Sequence, residues 1–215
     1  MKTELRYGII GAGSMGREHI ENIKVMGGAA VTAISDPHKP SQEAALAMAP
    51  GATVFTDHRA LLDSGLIDAV VIATPNDTHA AVLKDALATD LAVFVEKPLA
   101  TTVEDLKSIL AWDDKRSAMT WMGLEYRFMP PVAEAIARAH EGEAGKIHQV
   151  SIREHREPFY PKVDNWNRFA ERTGGTLVEK CCHYFNLMDI VVGESPVRVF
   201  ASGGQAVNHL DEKYD

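Results

Sequence analysis

Cysteine is nearly absent from this chain: Cys181 and Cys182 are the only two in 215 residues, and they are adjacent. A bridge between neighbours would be strained, so a disulfide framework of the secreted kind is excluded and reduced thiols in the cytoplasm are expected. No run of about eighteen apolar residues occurs, so no membrane-spanning helix is expected, and no signal-peptide pattern precedes the first apolar segment. Basic residues are the minority charge, 22 Lys and Arg against 30 Asp and Glu for a net −8. They do not cluster, so a nucleic-acid partner, which would need a basic patch facing phosphates, is not expected. Internal repeats and low-complexity tracts are also missing. What is present, 46% hydrophobic and 24% charged residues, suits a globular chain of one to two domains that buries one sizeable core and part of another.

The most informative stretch lies near the start. A short apolar segment, Leu5 to Ile10, runs into Gly11-Ala12-Gly13-Ser14-Met15-Gly16 and then into a helical pattern, and Asp36 closes the next apolar segment twenty positions after Gly16. Strand, glycine loop, helix and late acid together form the fingerprint of a dinucleotide-binding βαβ unit. Gly11 permits the tight turn, Gly13 allows close approach of a pyrophosphate, and Gly16 lets helix and strand pack closely. The anion is expected on the free N–H groups of Ser14 and Met15 at the helix start. The Asp36 carboxylate would accept hydrogen bonds from both adenine-ribose hydroxyls, which makes NAD the expected cofactor. NADP is the alternative, since His38 and Lys39 would soften the repulsion of a 2′-phosphate. In isolation the same glycines would also suit a strand–helix loop that binds nothing.

From residue 1 to about 123, strand-like and helix-like segments alternate in the manner of a doubly wound parallel sheet. Strands are expected near 5–10, 30–35, 53–55, 68–73, 91–95 and 118–122, with helices near 14–26, 41–48, 57–64, 77–88 and 102–115. Asp57 and Thr102 read as N-caps. The runs Ala69–Ala73 and Leu91–Val95 show no alternation, as expected for strands covered on both faces, and their C-terminal ends should form the ligand edge. After Gly123 the texture changes. Pro130-Pro131 opens a helix through about Glu141; a strand is expected over Ile147–Arg153, a polar loop over 157–175, a helix over Thr176–Val192 and a strand over Val197–Ala201. Residues Asn208–Asp215 read as a frayed end. The expected organisation is thus a doubly wound α/β domain over 1–123 followed by a second unit of different texture over 124–215.

At the ends of the fourth and fifth strands sit Thr74-Pro75-Asn76-Asp77-Thr78-His79 and Glu96-Lys97-Pro98. With the glycine loop and the Gly174-Gly175 to His183 stretch, these segments closely resemble the Gfo/Idh/MocA oxidoreductases, the group of glucose–fructose oxidoreductase and inositol dehydrogenase. The resemblance implies a nicotinamide-dependent enzyme with a Rossmann domain over 1–123 and an α+β domain over 124–215 whose open, mainly antiparallel sheet makes a homo-oligomer contact, with Lys97 and His183 facing the substrate carbon beside the nicotinamide. It places Thr74, Pro75 and Asn76 along the cofactor groove, Glu96 at the nicotinamide ribose, and His79 at the cofactor or substrate rim. Asn76 would equally serve as a helix cap and His79 as a surface residue. Arg127 matches an Arg-Phe-x-Pro element and would touch substrate or hold the domain junction. The loop around Trp166 would fold over the pocket, although a tryptophan there also suits a core. Tyr160 and His155-Arg156-Glu157 are weaker candidates for the same role.

Chemistry supports those assignments independently. Oxidising a secondary alcohol removes the hydroxyl proton while hydride leaves the same carbon, which calls for a base and a nearby cation. His183 is the suitable group whose unperturbed pKa lies near neutrality, and Lys97 would stabilise the developing alkoxide. In a helix over 176–192, Glu179, His183 and Asn186 would share one face, with Lys180 close to it. The family pattern has aspartates at the positions of Glu179 and Asn186. Glu179 keeps the charge as a catalytic partner, Asn186 gives it up, and Lys180 adds a cation near the substrate, unless Glu179 and Lys180 are merely a solvated helix start. The expected reaction is hydride transfer between nicotinamide and a sugar, inositol or related polyol, with no metal. Rivals are a non-catalytic dinucleotide or sugar sensor, and a biliverdin- or imine-type reductase without need of the histidine. Family members are considerably longer, so the chain is expected to be a fragment or truncated product.

Overall fold

The computed structural model describes residues 4–155 and 160–204. The expectations at Arg156, Glu157 and Asn208–Asp215 lie outside the described residues. Six parallel strands form one sheet: β1 (Leu5–Ile10), β2 (Ala29–Ser35), β3 (Thr53–Phe55), β4 (Ala69–Ile72), β5 (Ala92–Glu96) and β6 (Thr120–Gly123). Their order is β3-β2-β1-β4-β5-β6, the doubly wound arrangement that reverses direction between β1 and β4. The crossovers carry α1 (Ser14–Met26), α2 (Lys39–Met48), α3 (His58–Leu62), α4 (His79–Ala86) and α5 (Val103–Asp113). Two helix starts follow their sequence signals. The Asp57 carboxylate accepts from Arg59 N at 2.9 Å, and the Thr102 hydroxyl from Asp105 N at 3.1 Å.

Alternate residues of the central strands feed two cores, as the period of two requires. Ile9 and Val71 pack with Ile20 and Ile23 of α1 and Ile34 of β2, while Ile10, Val70 and Ile72 pack with Leu83 of α4 and Ile109 of α5. Burial of each such side chain contributes about 1.5–3 kcal/mol, so this two-sided core fixes which strand ends form the ligand edge. Coverage is incomplete on one side. Phe94 and Trp121 line an apolar groove of about 340 Å³ beside α1, so β5 lacks the full two-sided cover expected from its sequence.

Beyond β6 come a 3-10 turn (Glu125–Phe128), α6 (Pro130–His140), a second turn (Val163–Arg168), α7 (Ala170–Thr173), α8 (Thr176–Glu179) and α9 (Cys182–Val192). Two expectations are corrected here. The strands at 147–153 and 197–201 do not form among the described residues, because neither segment pairs with another chain segment and a strand exists only through such pairing. The helix expected over 176–192 is broken. Lys180 closes α8 at φ −110°, and Cys181 N reaches back five residues to Thr176 O at 3.2 Å, a widened turn that ends the α-helical ladder. Glu179 and His183 therefore lie on different helices and do not share one helical face.

Candidate active site

The β1–α1 loop has the sterics of a phosphate cradle. Gly11 has φ +91°, and a Cβ on it would lie 2.6 Å from the backbone of Ala73. A Cβ on Gly16 would lie 1.9 Å from Gly11 O, so helix and loop touch backbone to backbone. Gly13 differs: a Cβ there would meet nothing within 4 Å. It caps α1 without any side-chain hydrogen bond, so no side chain at the cap occupies the first N–H groups of the helix, those of Ser14 and Met15 among them. The Asp36 carboxylate braces this loop, accepting from Ala12 N at 2.7 Å and from His38 N at 2.7 Å. Its remaining lone pairs are available at the end of β2. An open cradle with free donors beside a fixed carboxylate fits a dinucleotide.

At the ends of β4 and β5 the geometry departs from two expectations. Asn76 caps no helix; its buried amide donates to Thr173 O at 3.2 Å and to the Glu179 carboxylate, tying the front of the chain to the rear. His79 is neither at the rim nor on the surface. It is 0% exposed, with Nδ1 at 2.7 Å from Pro98 O and Nε2 at 3.0 Å from Thr74 O. Thus it clamps the Thr74-Pro75 loop to the Lys97-Pro98 turn from inside, and burial pushes its pKa down. Glu96 is nearly buried and meets His19 Nε2 of α1 at 2.7 Å. Lys97 points to the rear half, with Nζ at 3.2 Å from Glu179 Oε1 and 3.1 Å from Glu179 O.

His183 opens α9 at 2% exposure. Its ring stacks on Tyr126, and its Nε2 lies 3.6 Å from Glu125 Oε1. Lys180 does not face open pocket: its Nζ bonds the Tyr126 hydroxyl and lies 3.2 Å from Glu154 Oε1. Arg127 is half-buried, its guanidinium 5.9 Å from the Phe128 ring and its Nε without a hydrogen-bond partner among the described residues. Trp166 is packed away as the core alternative foresaw, under Lys162 Nζ at 5.3 Å from its ring. Asp164 and Asn165, two residues that tolerate the left-handed region, make the turn that carries it inward at φ 54° and 49°. Tyr160 is exposed. Sequence reasoning missed Glu125, Tyr126, Glu154 and Lys162. Only Tyr126 and Glu125 carried any signal, through their place in the Arg127 element.

Charge and burial set the state of the base. Burial, then the positive charges of Lys97 and Lys180, lower the His183 pKa from 6.5 to about 4, against a smaller upward pull from Glu96 and Glu154. The ring is therefore neutral at pH 7 and able to accept a proton. Between about pH 6.5 and 4 the unfolded chain protonates this histidine while the folded chain does not, so its contribution to stability is full above 6.5 and is lost as pH falls towards 4. His183→Gln should consequently lose less stability than the parent on going from pH 7 to pH 5. Urea unfolding at the two pH values checks this, and equal losses would contradict it.

Comparison with known proteins agrees with this picture. Residues 5–124 match the oxidoreductase-family model of an NAD-binding Rossmann fold, and residues 137–214 the model of the family's C-terminal alpha/beta domain. Inositol 2-dehydrogenase of Rhizobium meliloti (strain 1021) is 30% identical over 204 residues, covering 95% of this chain and 60% of that protein. Myo-inositol 2-dehydrogenase of Thermotoga maritima is 26% identical over 204 residues, again 95% and 60%. Among solved structures, a putative myo-inositol dehydrogenase from Sinorhizobium meliloti 1021 superposes with a TM-score of 0.77 at 29% identity, covering 90% of this chain and 56% of that one. Myo-inositol dehydrogenase from Lactobacillus casei, solved with NAD(H) and myo-inositol, superposes with a TM-score of 0.72 at 27% identity, covering 88% and 54%. The chain spans about 60% of the length of these curated relatives. With both halves matched and the glycine cradle and Lys97 turn in place, this chain belongs to the Gfo/Idh/MocA oxidoreductase family.

Proposed function

We propose that the chain supplies the nucleotide site and reacting groups of an NAD-dependent dehydrogenase acting on a secondary hydroxyl of a sugar, inositol or related polyol. The observation that carries this reading is the ion pair of Lys97 from the front half with Glu179 from the rear half, beside His183, whose pKa the Lys97 charge helps to lower. Bound NAD would supply the hydride acceptor. The cradle of Gly11, Gly13, Ser14, Met15 and Gly16 would seat its pyrophosphate, Asp36 its adenine ribose, Thr74 and Pro75 its nicotinamide half and Glu96 its second ribose. His183, neutral at pH 7, takes the hydroxyl proton at Nε2 as the carbon gives up hydride. The Lys97 ammonium holds the oxygen while negative charge develops there. Glu179 orients that ammonium and is itself held by Asn76.

The same reading assigns residues 1–123 to nucleotide binding and 124–215 to substrate binding and self-association, in the cytoplasm. Support for self-association comes from Val197, Val199 and Phe200, apolar side chains that are exposed. To test the function, the protein is assayed with NAD and NADP against a panel of monosaccharides and inositols. Turnover is expected with at least one polyol, with NAD favoured by about tenfold or more, a difference of about 1.4 kcal/mol. Binding of NAD without turnover on any polyol would sink the dehydrogenase reading and leave a sensor.

A further inference from the structure

An imidazole that must receive a proton along one line needs its plane fixed, usually by a hydrogen bond to its second ring nitrogen. His183 lacks one. Its Nδ1 is buried without a partner among the described residues, and the 3.6 Å from Nε2 to Glu125 exceeds hydrogen-bond range. Instead the ring lies flat on Tyr126, with centroids 4.1 Å apart and planes 9° from parallel. Tyr126 is itself pinned. Lys180 Nζ donates to its hydroxyl and lies 4.5 Å from its ring centroid. Glu154 holds that ammonium at 3.2 Å and also accepts from the Tyr184 hydroxyl. Lys180 and Tyr184 flank His183 in sequence, whereas Tyr126 comes from the turn after β6, so the stack joins two separate parts of the chain.

We propose that Tyr126 is the positioning residue for His183: ring stacking replaces the missing hydrogen bond, and Lys180 locks the tyrosine in place. The proposal rests on the dehydrogenase reading. A terminal imidazole torsion is broad and soft, so without an opposing face the ring would sample many planes. The stack removes that freedom, and the Glu125 carboxylate near Nε2 selects which edge faces the pocket. The charged groups around the ring come from several elements, Glu179 of α8 beside Lys97 among them. Lys97 and Glu96 act from the end of β5, Lys180 and Glu154 from the tyrosine network, and Glu125 from the turn; the neighbouring Cys182 thiol is held protonated by burial.

Three variants separate the contributions. Tyr126→Phe keeps the flat face and loses the hydroxyl, Tyr126→Leu loses the face, and Lys180→Met unlocks the tyrosine with both rings retained. Tyr126→Leu should lower kcat by about ten- to a hundredfold, the scale of a small misplacement of a reacting group, with KM and NAD affinity little changed. Tyr126→Phe, which loses the hydroxyl bond to Lys180 but keeps its ring under that ammonium, and Lys180→Met, which loses both contacts, should fall between the parent and Tyr126→Leu, with Tyr126→Phe no worse than Lys180→Met. In a His183→Ala background Tyr126→Leu should cause no further loss, since both changes act on one group. By NMR, the His183 ring protons should carry an upfield ring-current shift in the parent, retained in part in Tyr126→Phe and Lys180→Met and gone in Tyr126→Leu. Equal impairment of the Phe and Leu variants, or a further loss in the His183→Ala background, overturns the proposal. An absent ring-current shift in the parent overturns it even if Tyr126→Leu fails to fold. Unchanged turnover in His183→Ala alone would instead overturn the dehydrogenase reading, with the ring-current result still reporting on the stack.

Discussion

His183→Ala is expected to lower polyol turnover by about 10²–10⁴-fold, the range for loss of a positioned acid or base, while NAD affinity stays nearly intact. The size of the loss follows from what remains nearby. Lys97 is bound to Glu179, His79 is sealed between two carbonyls, and burial pushes the Cys182 thiol pKa up, so the acceptor left beside the site is the Glu125 carboxylate, 3.6 Å from the Nε2 position and beyond hydrogen-bond range of it. Nucleotide binding is spared because the glycine cradle and Asp36 lie at the ends of β1 and β2, on other elements. The pH profile adds a second signature. With the His183 pKa lowered to about 4, the acid limb of kcat/KM in the proposed reaction should lie well below 6.5 in the parent protein. Steady-state kinetics and NAD titration of the two proteins check both statements, and undiminished turnover would remove His183 from the mechanism.

Gly16→Ala and Gly13→Ala should fail in different ways. A methyl on Gly16 would sit 1.9 Å from Gly11 O, and Gly11 cannot retreat because its own backbone is pressed against Ala73. Overpacking of this kind costs about 1–3 kcal/mol or more, so the melting temperature falls together with nucleotide binding. At Gly13 the space is empty and φ is −67°, which any residue accepts. Gly13→Ala should therefore melt like the parent yet show little or none of the upward shift that NAD gives the parent, since the methyl occupies the proposed pyrophosphate seat. Thermal unfolding with and without NAD distinguishes the two. Normal NAD stabilisation of Gly13→Ala would mean the pyrophosphate sits elsewhere.

Much of the front half was legible. Strand β1 and helix α1 fall on their expected residues, and the caps at Asp57 and Thr102 form as read, because apolar periodicity and capping act over a few residues. Lys97 and His183 were singled out by motif and chemistry, and their catalytic roles belong to the proposed function. The rear half was not legible. Local periodicity favoured one helix over 176–192, but the turn at Lys180 breaks it, and the ammonium of that residue is held by Tyr126 and Glu154, far away in sequence. Likewise, nothing local distinguishes a rim histidine from a clamp at His79.

By itself the sequence determined the βαβ start, the parallel sheet and the types of group available for chemistry, since glycine sterics and side-chain periodicity are properties of neighbouring residues. Tertiary structure alone decided which groups meet: Asn76 with Glu179, Lys97 with Glu179 and Tyr126 with His183. Those partners are separated by long stretches of chain, and only the docking of the rear helices onto the sheet edge brings them within bonding distance.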